Sequence, residues 1–119
     1  MIKKIFIMEV DGKKIGFRFN MLCHGKACEF EKCSMGELWK RLGLTQEQET
    51  NIVTLTNFFR AAAINYNEGE GDFENVPTAQ DVSDWLDSIG YIKSIEMMTE
   101  HFKTPKIKNQ EAPTQEAGQ

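Results

Sequence analysis

The sequence predicts an α+β fold: an N-terminal β-hairpin packed on a mostly helical domain of four to five helices, followed by a disordered C-terminal tail. Three observations carry this expectation. Residues 3–19 alternate apolar and polar side chains about an Asp11-Gly12 pair, and those two residue types tolerate the positive φ of a two-residue hairpin turn. Residues 50–67, TNIVTLTNFFRAAAINYN, form the longest apolar-rich segment and contain no Gly or Pro. From Lys103 onward the chain is polar, contains Pro105 and Pro113, and keeps one large apolar residue, Ile107. Such a composition buries too little apolar surface to offset the entropy of ordering.

A chain of 119 residues is one domain plus a tail, with enough length for a single core without staples. The domain is placed at residues 1–102 and the polar tail at 103–119. In the hairpin, strand 3–10 returns through 13–19, with Ile15, Phe17 and Phe19 on one face and Lys14, Gly16 and Arg18 on the other. Two strands alone are marginal in water, so the hairpin must pack on helices or gain strands from another chain.

Asn20 is a good N-cap for a helix over 21–32, which Gly25 weakens. Ser34 and Glu37 have capping-box spacing for a short helix over 34–42, and Gly43 stands where a C-terminal cap belongs. The central helix is expected over 48–67. At 100° per residue, Ile52, Leu55, Phe59, Ala62 and Tyr66 share one face. A second, narrower stripe holds Val53 and Ile64, flanked by Asn57 and Arg60. A helix apolar on two sides is sandwiched or shares one side with a partner. Val53 and Ile64 are therefore expected to face a second layer, either the Trp85 helix or another subunit.

The acidic, Gly-rich stretch 68–72 reads as a surface loop. Thr78 and Asp81 open a helix over 78–89, in which Val82, Trp85, Leu86 and Ile89 follow i, i+3, i+4, i+7. Gly90 ends it. A last helix over 92–102 carries Ile92, Ile95, Met98 and Phe102, with Met97 off that stripe and so the better candidate for exposure. His101, near its C-terminal end, is expected as a surface cation. Trp39 and Met98 are expected in the core.

Composition narrows the function classes. The first ten residues are too short and too charged for a signal peptide, and no segment is long and apolar enough to span a membrane. A cytoplasmic protein with three reduced cysteines is expected. Residues 1–20 hold five bases against Glu9 and Asp11, a net of +3, whereas residues 44–102 hold eleven acids against Arg60 and Lys93, a net of −9. Only the hairpin is basic, so nucleic acid is disfavoured, and head-to-tail contacts or a charged partner fit better.

Catalytic constellations are missing from the sequence. Cys23, Cys28 and Cys33 lie five apart and do not share a helical face, with no CxxC pair and no HxxxH. His24 is adjacent to Cys23, and adjacent helical side chains diverge. Stretch 68–72 lacks full calcium-loop spacing. Asp81, Asp84 and Asp87 lie on the polar face opposite Trp85 and Leu86. No general acid, base and nucleophile converge, so a non-enzymatic binding protein without cofactor or metal is expected. Val53, Ile64, Met97, Lys13 and Lys14 are the candidate partner contacts.

The order of parts carries a family likeness. A DG hairpin leads through GFRFNM (residues 16–21) into a helix. A short helix, a long Leu/Phe/Ala-rich helix, an acidic loop, a helix opening Thr-x-x-Asp-Val at Thr78, and a last helix follow. Over residues 3–102 this layout resembles the tail assembly chaperones of long-tailed phages and prophages. The resemblance implies a protein that coats the aggregation-prone tape-measure protein, brings tail-tube subunits to it, works in the bacterial cytoplasm and is absent from the mature virion. It implies oligomers or client-bound arrays, and in many such genes a longer product made by programmed frameshift. Lys108-Asn109 lies in the tail, where codons reading A AAA AAC would form a slippery heptamer without disturbing the domain. The alternative is a small structural phage protein such as a head–tail connector or tail-completion subunit. A third reading is a host regulator that binds nucleic acid through the basic hairpin.

Overall fold

A computed structural model describes residues 4–102. The expected tail at 103–119, with its frameshift site, lies outside them. Strands β1 (Ile5–Val10) and β2 (Lys13–Arg18) form an antiparallel hairpin, followed by helices α1 (Met21–Glu31), α2 (Met35–Arg41), α3 (Ile52–Gly69), α4 (Ala79–Ile89) and α5 (Tyr91–Phe102). The α+β class and the element order are those the sequence predicts.

The hairpin closes as its turn chemistry requires. Val10 pairs with Lys13 across Asp11 and Gly12, at φ 52° and 78°. Two positive φ values make a type I′ turn, whose twist matches the strands. Ile15, Phe17 and Phe19 point into the core as the alternation demands. Gly16 is buried for a different reason: a Cβ there would overlap the ring of Tyr66 on α3.

Phenyl rings join the hairpin to α3. Phe17 and Phe19 meet Phe59 edge-on at 5.2 and 5.4 Å, and Phe19 stacks on Phe58 at 5.5 Å. All four are fully buried, and rings in these arrangements contribute about 0.5–1.5 kcal/mol per pair beyond area burial. A polar stitch runs beside them. The side chain of Asn20 caps α1 by accepting from Cys23 N at 3.1 Å, and also accepts from Asn65 Nδ2 at 2.8 Å. Asn65 Nδ2 donates to the Arg18 carbonyl as well, at 3.0 Å. The GFRFNM string therefore turns the chain from strand to helix against α3.

Glu31 is the second stitch. Its nearly buried carboxylate accepts from Arg41 Nη1 at 3.1 Å, Thr54 Oγ1 at 2.8 Å and Asn57 Nδ2 at 2.6 Å. One acid thus ties α1, α2 and α3 together. Burial by itself raises its pKa, but the hydrogen bonds from Asn57, Thr54 and Arg41 outweigh that and hold it below the usual carboxylate range.

Helix boundaries differ from expectation where local caps decide. The central helix starts at Ile52 rather than 48, because Asn51 caps it by accepting from Thr54 N at 3.1 Å. It runs on through Gly69, where the Lys26–Glu68 ion pair of 3.3 Å joins its last turn to α1. The Ser34 box is half formed: Ser34 Oγ accepts from Glu37 N, but the Glu37 carboxylate turns to Arg41 at 3.0 Å. The Thr78 box is complete, with Asp81 Oδ2 accepting from Thr78 N and Thr78 Oγ1 from Asp81 N. Helix α1 ends at Glu31, since Lys32 adopts the left-handed conformation. That reversal returns the Cys33 amide to the Cys28 carbonyl at 3.1 Å. Cys33 thus lies outside the helix that carries Cys23 and Cys28, and all three cysteines are free thiols.

Candidate functional site

The surface feature best suited to a partner is a half-apolar groove at the N-terminal end of α3. Leu55 and Leu86 line its floor, with the fully buried Ser94 beside them. Ile52 and Tyr91 wall it at 56% and 50% exposure, and Thr56, Ser83 and Asp87 complete the lining. Its volume of about 260 Å³ has room for a few side chains of a docked segment. Val53 and Ile92, adjacent in sequence to the two walls, are 67% and 69% exposed. Three helix ends build the groove: the first turn of α3, the last of α4 and the first of α5. Gly90, at φ 100°, makes the abrupt turn between α4 and α5 that leaves it open.

The predicted contact residues separate. Val53 lies exposed beside the groove, but Ile64 is buried within the chain, so they do not face one common layer. Ile64 sits between two anchors of the loop after α3: Arg60 Nε donates to the Pro77 carbonyl at 2.9 Å, and Asn67 Nδ2 to the Asn75 carbonyl at 2.9 Å. The Arg60 guanidinium also lies 4.5 Å from the Phe30 ring centre, a favourable cation–π distance.

Met97 is 3% exposed, contrary to expectation. The buried line of α5 runs Ser94, Met97 and Met98 and is rotated by one residue from the Ile92–Ile95 stripe, which leaves Ile92 in solvent. Burying Ser94 costs little, because its hydroxyl donates to the Gly90 carbonyl at 2.8 Å.

Lys13 and Lys14 are exposed and border a separate, polar cleft of about 210 Å³ with Asp81, Tyr66 and Trp85. Asp81 is held below the ordinary carboxylate range by the Thr78 amide, then by the Thr78 hydroxyl, with Lys13 a smaller influence. The acid is committed to capping α4.

An imidazole pair, His24 buried and His101 half-buried, escaped the sequence reading. His24 Nε2 and His101 Nε2 are 2.9 Å apart, and Trp39 Nε1 lies 3.2 Å from His24 Nδ1. An indole can only donate, so His24 Nδ1 accepts and its proton sits on Nε2. His24 then donates to His101 Nε2, which puts the His101 proton on Nδ1, a buried atom with no partner among the described residues. Burial, and then the neighbouring His101, push His24 down to about 4, and burial with Lys4 nearby also lowers His101. His101 is therefore a neutral ring stacked 5.3 Å from Phe19, not a surface cation. Trp39 is not a core residue either: at 37% exposure it covers the pair from outside. A sequence separation of 77 residues hides this pair.

Cys23 donates its thiol toward the Phe58 carbonyl at 3.7 Å, and burial pushes its pKa up to about 12. Such a thiol is inert near neutrality. Among the described residues no three His, Cys, Asp or Glu side chains are placed to hold a metal ion, and no helix is long and apolar enough to cross a membrane. No family model, curated protein or solved structure matches the chain.

Proposed function

We propose that the chain is a non-enzymatic tail assembly chaperone of a long-tailed phage or prophage, one that holds helical segments of the tape-measure protein and brings tail-tube subunits to them. The observation that carries the mechanism is the groove between α3, α4 and α5, with Ile52, Leu55, Leu86 and Tyr91 as its apolar lining. A helical client presents apolar side chains at i, i+3, i+4 and i+7, and a groove of this kind takes such anchors. Asp87 is the one charged residue in its lining, which favours client segments with a Lys or Arg next to the apolar anchors. The layout of GFRFNM and of the Thr78 helix start adds the family likeness. In this reading the protein works in the bacterial cytoplasm and leaves before the virion is complete.

Co-expression with the tape-measure protein tests the proposal. Soluble tape-measure protein in the presence of the chain, and its loss with a Val53→Asp/Ile92→Asp variant that still folds, are expected. The chain should be missing from purified particles. Stoichiometric incorporation into particles would instead favour a connector or tail-completion subunit.

A further inference from the structure

We infer that β1 is a self-association edge: two copies of this chain pair antiparallel through their β1 strands, centred on Ile7, and join two hairpins into one four-stranded sheet. The inference concerns the hairpin and is independent of what occupies the groove.

The ladder determines which backbone groups are spoken for. The Phe19 amide donates to the Lys4 carbonyl at 2.7 Å, and the register runs from there to Val10 opposite Lys13. Antiparallel pairs alternate between bonded and non-bonded. Lys4, Phe6, Met8 and Val10 therefore turn their amides and carbonyls toward β2, while Ile5, Ile7 and Glu9 turn theirs outward. The corresponding outward edge of β2 is covered by α3, with Asn65 on the Arg18 carbonyl and Tyr66 over Gly16. No hydrogen bond to the outward groups of β1 occurs among the described residues. Ile5 and Ile7 are 38% and 52% exposed, on the hairpin face opposite the phenyl core.

A second copy fits this edge by symmetry, and charge selects the antiparallel sense. In a two-fold antiparallel pairing centred on Ile7, Ile7 meets the partner's Ile7, and Ile5 meets the partner's Glu9. Every outward-facing residue of the strand then lies in a bonded pair, each exchanging two hydrogen bonds. A shift by two residues leaves either Glu9 or Ile5 of each copy beyond the partner's strand, which spans Ile5–Val10. The strand is basic at its Lys4 end and acidic at Glu9 and Asp11. Antiparallel pairing sets the basic end of one copy beside the acidic end of the other, whereas parallel pairing would align like charges. The two exposed isoleucines of each copy are covered in the same step.

Sedimentation of the full chain across the micromolar range tests the inference. The wild type should be a dimer. Ile7→Lys and Ile7→Glu should each be folded monomers, with association weakened at least about a hundredfold by like charges at the two-fold axis. An equimolar mixture of the two should recover a heterodimer. Ile7→Pro removes an outward amide without touching the hairpin ladder and should also be monomeric, with an intact circular-dichroism spectrum. A monomeric wild type overturns the inference. Dimers that persist in both charge variants place the contact elsewhere and also overturn it, and a mixture that stays monomeric rejects the Ile7-centred pairing.

Discussion

The two ends of α3 are equally apolar in sequence and opposite in fate. Toward its C-terminal end, Ala61, Ala62, Ala63, Ile64 and Asn65 are all buried. The hairpin, α1 and the loop held by Arg60 and Asn67 cover this end from three sides. At its N-terminal end, Ile52 and Val53 stand in solvent, although Leu55 three residues on is buried. The Glu31 stitch secures only one side of this end, through Thr54 and Asn57, and the other side opens into the groove. Periodicity reports which side chains are apolar; tertiary contacts decide which are covered. An apolar helix end left uncovered in an otherwise well-stitched domain is where a partner is sought.

The largest effect should come from the buried middle of α3, between the two ends. Phe58→Ala removes a ring packed on Phe19, His24 and Phe102, and should cost about 3–5 kcal/mol in urea unfolding. A cost under about 1 kcal/mol would show that this ring is not close-packed.

Acid should act next, through the imidazole pair. His24 in the fold has a pKa pushed down to about 4, whereas the unfolded chain protonates near 6.5. Between these values the unfolded state binds more protons, so stability is fully present above about pH 6.5 and declines as pH falls toward 4. From pH 7 to pH 5 the loss should be about 2 kcal/mol, above the range where Glu31 is protonated. Urea midpoints at the two pH values measure it, and a flat profile would mean that His24 is not buried neutral. Gly16→Ala presses a methyl into the Tyr66 ring and should cost about 1–3 kcal/mol, read from the same unfolding curves.

The smallest effect is expected at the open end. Val53→Ser and Ile92→Ser should each stay within about 0.5 kcal/mol of the wild type in unfolding, because neither side chain is covered. A larger loss would mean that the groove is part of the core, and would remove the contrast.

Local signals were legible in the sequence, and long-range coverage was not. Asp11-Gly12, Asn20 and Thr78 with Asp81 act through neighbours a few residues away, and each does in the fold what its chemistry dictates. Asn51 as a cap is equally local, but the expected start at 48 takes in residues 48–51, which lie before the helix. The candidate site was legible in part. Val53 is exposed beside the groove, while Ile64 and Met97 are buried by segments whose docking no periodicity reveals. The α5 stripe was misjudged because its buried line includes Ser94 and passes over Ile92, against their polarities. Ser94 escapes the usual penalty by bonding Gly90 four residues back.

Backbone hydrogen exchange of the chain, alone and bound to co-purified tape-measure protein, tests the central claim most directly. The first amides of α3 lack helical partners, apart from the Asn51 cap on Thr54 N, so they report occupancy of the open end. Binding should slow exchange at residues 52–56 and 86–92 and leave residues 61–65, already protected, unchanged. Unchanged exchange at 52–56 in a complex that nonetheless forms would contradict the account.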